Sequence, residues 1–109
     1  GWYLPGGGVD KRESAEEAIR RELREEVAVA EAQIAGVLGV YHNRVEAKDD
    51  HVIVFIADVA RPDELRAADP REIAEAGWFA PDALPEGTSP ATRRRIAEVL
   101  GGRQGHGTW

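Results

Sequence analysis

Between Gly7 and Val29 the chain reads GGVDKRESAEEAIRRELREEVAV, a glycine-led loop running straight into a charged, periodic segment. Ser14 is a good helix N-cap and Glu17, three residues on, completes a capping box, so a helix is expected from about Ala15 to Val27. Ala15, Ile19, Leu23 and Val27 recur at every fourth position and form the stripe that such a helix would bury. Upstream, Gly1 to Leu4 can end a strand, and Pro5 with Gly6, Gly7 and Gly8 makes a loop whose backbone can approach a ligand closely.

On a helix, residues three and four apart share a face, so Glu22 lies beside Glu25 and Glu26, with Glu22 and Glu26 roughly 6 Å apart along the axis. Crowded carboxylates resist ionising together unless something positive sits among them. A divalent cation supplies it, and magnesium suits oxygen ligands shared between carboxylates, waters and phosphates. Taken alone, a charge run like this is more often a solvated face carrying ion pairs among Glu16, Glu17, Arg20, Arg21 and Arg24.

At 109 residues the chain is one domain with apolar content for a single core. Its net charge of −6 leaves no basic footprint for nucleic acid and no polybasic stretch for an anionic membrane. An acidic protein that handles phosphates needs a cation. With no cysteine, disulfides, thiolate zinc sites and cysteine nucleophiles are all excluded. No apolar run reaches membrane-spanning length and no secretory signal opens the chain, so a cytoplasmic location is expected. The absence of methionine and the abrupt start on Gly1-Trp2-Tyr3-Leu4 read as a fragment.

Ile34–His42 and His51–Val59 are rich in Val, Ile, Tyr and Phe and are expected to pair as an antiparallel hairpin across Asn43–Asp50. The second, with VIVFIADV almost continuously apolar, suits a strand covered on both faces. Arg61–Ala74 reads as a loop with a helical turn near Glu64–Ala68, and Trp78-Phe79 anchors a short strand at Ala76–Ala80. Ser89-Pro90 opens a second helix, with Ile96, Val99 and Leu100 inward and Arg93, Arg94 and Arg95 wet. Residues 1–100 form the domain, and 101–109, GGRQGHGTW, read as a flexible tail.

The order Gly7, Glu13, Arg21-Glu22-Leu23, Glu25-Glu26, Val29 resembles the Nudix box, G-x5-E-x7-R-E-U-x-E-E-x-G-U with U aliphatic. The resemblance implies an α+β fold, a Nudix-type α/β/α sandwich with a mixed sheet, whose N-terminal strands are missing from this chain. It further implies hydrolysis of the pyrophosphate link in a nucleoside diphosphate derivative by metal-activated water, with Mg2+ or Mn2+, an attack on an acid anhydride. Glu22, Glu25 and Glu26 would be metal ligands, with Glu22 also a candidate base and Glu25 counted among the catalytic groups. Arg21 would orient the carboxylates, Glu13 would bind back across loop and helix, and Gly6 would offer its carbonyl to the metal.

An acidic ligand from a later loop, a few positions before Trp78, is best matched by Glu72, then Glu75, then Asp69. Gly7, Gly8 and Arg12 are candidates for substrate contact, although an exposed arginine is more commonly plain surface. Two positions depart from the pattern. Ala28 replaces the box's last glycine, so the helix is expected to end differently or run on, and Arg12 stands where glycine is frequent.

His42, Arg44, Lys48 and His51 surround the hairpin loop, where a substrate contact stays open, but nothing in their spacing is zinc-like. Trp2, Tyr3 and Tyr41 could stack on a base, though strand aromatics more often build the core. The retained carboxylates favour an enzyme over a non-catalytic Nudix-like nucleotide sensor, and the missing cysteine argues against isoprenoid diphosphate isomerase chemistry. Without its first strands the sheet would present an open edge that invites a homodimer. The partner implied is a nucleoside diphosphate-linked small molecule, with its attached group unspecified.

Overall fold

The computed structural model describes residues 3–44, 49–68, 76–103 and 105–109. In chain order these form helix α1 (Ala15–Val27), strands β1 (Ala32–Asn43) and β2 (Asp50–Val59), a 3-10 turn (Pro62–Glu64), helix α2 (Pro90–Leu100) and strand β3 (Gly105–Thr108). The three strands lie in the order β2-β1-β3, with β3 parallel to β1 in the register Gly39↔Gly105 to His42↔Thr108. The connector from Arg44 to Asp49 is too short for a parallel crossover, so β1 and β2 form the expected antiparallel hairpin and the sheet is mixed.

Local chemistry sets the limits of α1. Ser14 Oγ accepts from Glu17 N–H at 3.1 Å while Glu17 Oε1 accepts from Ser14 N–H at 3.4 Å, the reciprocal capping box. At the other end Ala28 takes the left-handed conformation, φ 60° and ψ 24°, and its N–H turns back to Leu23 O. Val29 N–H donates to the same carbonyl at 3.0 Å. The helix therefore stops as a glycine would stop it, contrary to the expected change of ending, and the alanine methyl bears the strain.

Ala28→Gly is expected to stabilise the chain by about 1 kcal/mol, because relief of a left-handed alanine outweighs the greater freedom of glycine when unfolded. A urea midpoint unchanged or lowered by this substitution would contradict that.

The chain folds as two compact units. One comprises Leu4–Ile34 and Ala57–Ala80. Its core is Leu23, Val27 and Val29, with Ile19, Ala32, Val59, Leu65 and Ala76 packed against them. Three members of the expected α1 stripe are here, and burial of each aliphatic side chain contributes about 1.5–3 kcal/mol.

The other unit takes in Ala35–Ile56 and Pro81–Trp109. Tyr41 is fully buried in it, its hydroxyl donating to Glu98 Oε2 at 2.5 Å. Burial, reinforced by that bond to a carboxylate, pushes the phenol up to about 12. The Arg95 guanidinium lies 3.9 Å over the Tyr41 ring and 5.1 Å from the Trp109 ring, and Arg95 Nη2 is 3.3 Å from Glu98 Oε1.

Several expectations are corrected here. Arg95 is buried, not wet, and Val99 and Leu100 are exposed, because the flat guanidinium finds two aromatic faces to cover it. Residues 105–109 of the expected tail are not loose: β3 pairs with β1, and Trp109 N–H donates to His42 O at 2.9 Å. Ile53 and Ile56 are exposed, so β2 is not covered on both faces, and among the described strands it lies at one edge of the sheet. Ala76–Ala80 forms no strand; Trp78 instead donates its indole N–H to Pro62 O at 2.6 Å. The turn expected at Glu64–Ala68 is the 3-10 turn at Pro62–Glu64, where proline occupies a first-turn position.

Candidate functional site

The glycine loop and α1 belong to one unit, and Arg21 joins them. Its Nε and Nη2 grip the two oxygens of Glu13 at 2.8 and 2.9 Å, a bidentate pair that spans from loop to helix. Nη1 reaches Glu22 Oε1 at 2.7 Å and Glu25 Oε2 at 3.2 Å, and Nη2 also donates to Gly8 O at 3.0 Å. Asp10, which the sequence did not single out, adds an oxygen 3.5 Å from Nη2 and donates its N–H to Glu13 Oε1 at 3.0 Å.

A Cβ at position 7 would stand 2.5 Å from Glu22 Oε1, so a larger residue there would push that carboxylate aside. Gly6 donates its N–H to Glu26 Oε2 at 3.0 Å, which sets the residue expected to offer its carbonyl to a metal beside one of the expected metal carboxylates. Arg12 is exposed with φ 65°, the second non-glycine residue in the left-handed region after Ala28. Among the described residues, the two non-glycine positions in the left-handed region are thus the two where glycine was expected or frequent. Glu72, Glu75 and Asp69 lie outside the described residues.

Arg21's hydrogen bonds, aided by the Asp10 backbone, hold the Glu13 carboxyl at about 2, against an ordinary value of 4.5. Hydrogen bonds to Glu13 and Glu22 raise the pKa of Arg21 in turn. A depressed carboxyl contributes stability that is fully present above 4.5 and lost as pH falls through about 2. The stability gap between the native chain and Glu13→Gln is therefore expected to be level above pH 4.5 and to close towards pH 2. Urea titrations across that range test it, and a gap that stays level down to pH 2 would overturn it.

Glu22, Glu25 and Glu26 offer hard oxygens, the donor type that magnesium and manganese prefer. Among the described residues no three acidic or histidine side chains converge closely enough to hold a metal ion by themselves. That still fits magnesium, which commonly takes one or two carboxylates and fills its shell with waters and substrate phosphates.

Away from the box, His42 Nε2 hydrogen-bonds Asp49 Oδ1 and the His42 and His51 rings stack 5.1 Å apart, a polar cluster at the hairpin end. Lys48 lies outside the described residues. A cleft of about 370 Å3 is lined by Ala28, Asp63, Glu64, Leu65 and Arg66, and no box carboxylate borders it. No helix among the described residues is long and apolar enough to cross a membrane.

A mixed sheet with a capped, carboxylate-bearing helix locked to a glycine loop defines a class, and the comparisons agree with it. The NUDIX domain family model matches residues 1–100, and the chain belongs to that family.

A Bacillus subtilis protein named as an 8-oxo-dGTP diphosphatase is 35% identical over 94% of this chain and 66% of its own length. An ADP-ribose pyrophosphatase of Methanocaldococcus jannaschii is 40% identical over 76% of this chain and 48% of its own. An RNA pyrophosphohydrolase of Erythrobacter litoralis is 30% identical over 91% and 71%. The chain thus spans about half to two thirds of the first two relatives. Among solved structures, the MutT NUDIX hydrolase from Burkholderia pseudomallei superposes with a TM-score of 0.64 at 29% identity, over 88% of this chain and 74% of that one.

Proposed function

We propose that the chain is a pyrophosphohydrolase that splits the diphosphate link of a nucleotide derivative with water, using Mg2+ or Mn2+ held by carboxylates from the set Glu22, Glu25 and Glu26 together with waters and substrate phosphates. The observation that carries this reading is the joint placement of Gly6, Gly7 and Gly8 against the carboxylate face of α1, tied by Arg21. The three relatives bear names with different substrates, and what those names share is cleavage of a phosphoanhydride.

A bound divalent cation would neutralise phosphate oxygens and lower the pKa of the attacking water. Glu22 is the candidate to receive the water's proton as its oxygen bonds to phosphorus and the bridging P–O bond breaks towards the departing phosphate. Arg21 restrains Glu22 and Glu25, and Glu13 restrains Arg21, so the carboxylates need little reordering when substrate arrives. Gly7 and Gly8 bring backbone near the phosphates, and exposed Arg12 can meet their charge. Glu72 is a further candidate ligand.

The substrate follows from a panel: dinucleotide polyphosphates, ADP-ribose, nucleotide sugars, oxidised nucleoside triphosphates and triphosphate-ended RNA, each with magnesium or manganese, products separated by chromatography. Cleavage of one class to a nucleotide and a phosphate product is expected. Tight nucleotide binding without product from any of them would overturn the reading.

A further inference from the structure

Trp78 is more than half exposed, so burial of its ring does not account for a tryptophan there. Its indole N–H, however, donates to Pro62 O at 2.6 Å, at the first residue of the 3-10 turn. Leu65 N–H closes the turn onto the same carbonyl at 3.4 Å, and Leu65 packs against the Leu23, Val27 and Val29 core. The chain then leaves extended, and Arg66 N–H donates to Val27 O at 3.1 Å and Ala68 N–H to Glu26 O at 2.9 Å.

A helix leaves the carbonyls of its last turn without intrahelical partners. Here the helix ends at Val27, and the Glu26 and Val27 carbonyls accept from Ala68 N–H and Arg66 N–H. Glu26 is next to last in α1, within the turn that frays first when its end is released. Its carboxylate meets Gly6 only while that turn stays wound.

We propose that Trp78 is a positioning residue for Glu26, acting through its ring N–H. The indole pins the 3-10 turn, the turn seats segment 65–68 on the end of α1, and the seated segment keeps Glu26 against the glycine loop. This rests on Glu26 being a metal ligand. Any large apolar side chain could cover the same surface, but it would lack the N–H that the indole donates to Pro62 O.

The test uses the full chain, with Trp78→Phe and a second variant carrying benzothienylalanine at position 78, which keeps the bicyclic ring and lacks only the N–H. Amide hydrogen exchange at Arg66 and Ala68 is expected to quicken about fivefold in both, and Mn2+ binding, followed by the free-ion resonance signal, to weaken about fivefold. Activity at saturating metal should stay within about twofold in both variants. Unchanged exchange at the two amides, or unchanged Mn2+ binding, in the benzothienylalanine variant would overturn the proposal. Glu26→Gln separates the two levels. If it binds Mn2+ as the native chain does, the reading of Glu26 as ligand fails; if it loses Mn2+ while both Trp78 variants keep it, only the tryptophan tie fails.

Discussion

Glu26→Gln is expected to lower turnover at saturating magnesium by about a hundredfold or more, with little change in thermal stability. Even the groups that merely support metal ligands are commonly worth 10–100-fold, so loss of a ligand's charge should cost at least the upper end of that range. Glutamine keeps the length of the side chain and an oxygen able to accept from the Gly6 N–H, which Glu26 Oε2 now does at 3.0 Å. The tie to the glycine loop can therefore survive the change. Removing one of three like charges spaced three and four apart on α1 relieves a mild repulsion. The measurement is steady-state turnover against magnesium concentration beside a melting curve. Near-normal turnover in a folded variant would remove Glu26 from the metal site.

The second large effect is structural. Gly39→Ala is expected to cost about 3 kcal/mol, because its Cβ would stand 2.0 Å from Gly105 O and 2.6 Å from the carbonyl carbon. The obstacle is backbone, which cannot rotate aside as a side-chain end can. β3 would have to leave β1, taking with it Trp109, whose ring covers Arg95 and meets Tyr41 edge-on at 5.7 Å. Gly36→Ala is the control: it lies in the same strand with nothing within 4 Å of the added methyl, so it should change stability by less than about 1 kcal/mol. Equal urea midpoints for the two alanine variants would show that β3 does not pair where described.

How much of this was legible beforehand depended on the reach of each interaction. The span of α1 was readable because the capping box and the four-residue stripe act within one helix. The hairpin was readable because β-branched runs flank a polar connector. The strand expected at Ala76–Ala80 rested on two aromatic residues alone, and those spend themselves differently: Trp78 on a hydrogen bond to Pro62 and Phe79 as a half-exposed ring. β3 was hidden for the opposite reason, since GHGT has no apolar alternation and pairs with β1 through the close approach of Gly39 and Gly105. Burial of Arg95 was likewise invisible, because charge type says nothing of the Tyr41 and Trp109 rings that receive it.

Sequence by itself determined the candidate site: the spacing of Glu22, Glu25 and Glu26 on one helix, the glycines before it, and Arg21 and Glu13 in register. These follow from the helical repeat and the chemistry of each side chain, which do not wait on the rest of the chain. Tertiary structure alone decided that Arg21 clasps Glu13 across the loop, that Ala28 accepts left-handed strain to end α1, and that Arg66 and Ala68 close its last turn. The closure by Arg66 and Ala68 depends on backbone groups brought together from distant positions, and their hydrogen-bonding demand is the same in every residue, leaving no mark in the sequence.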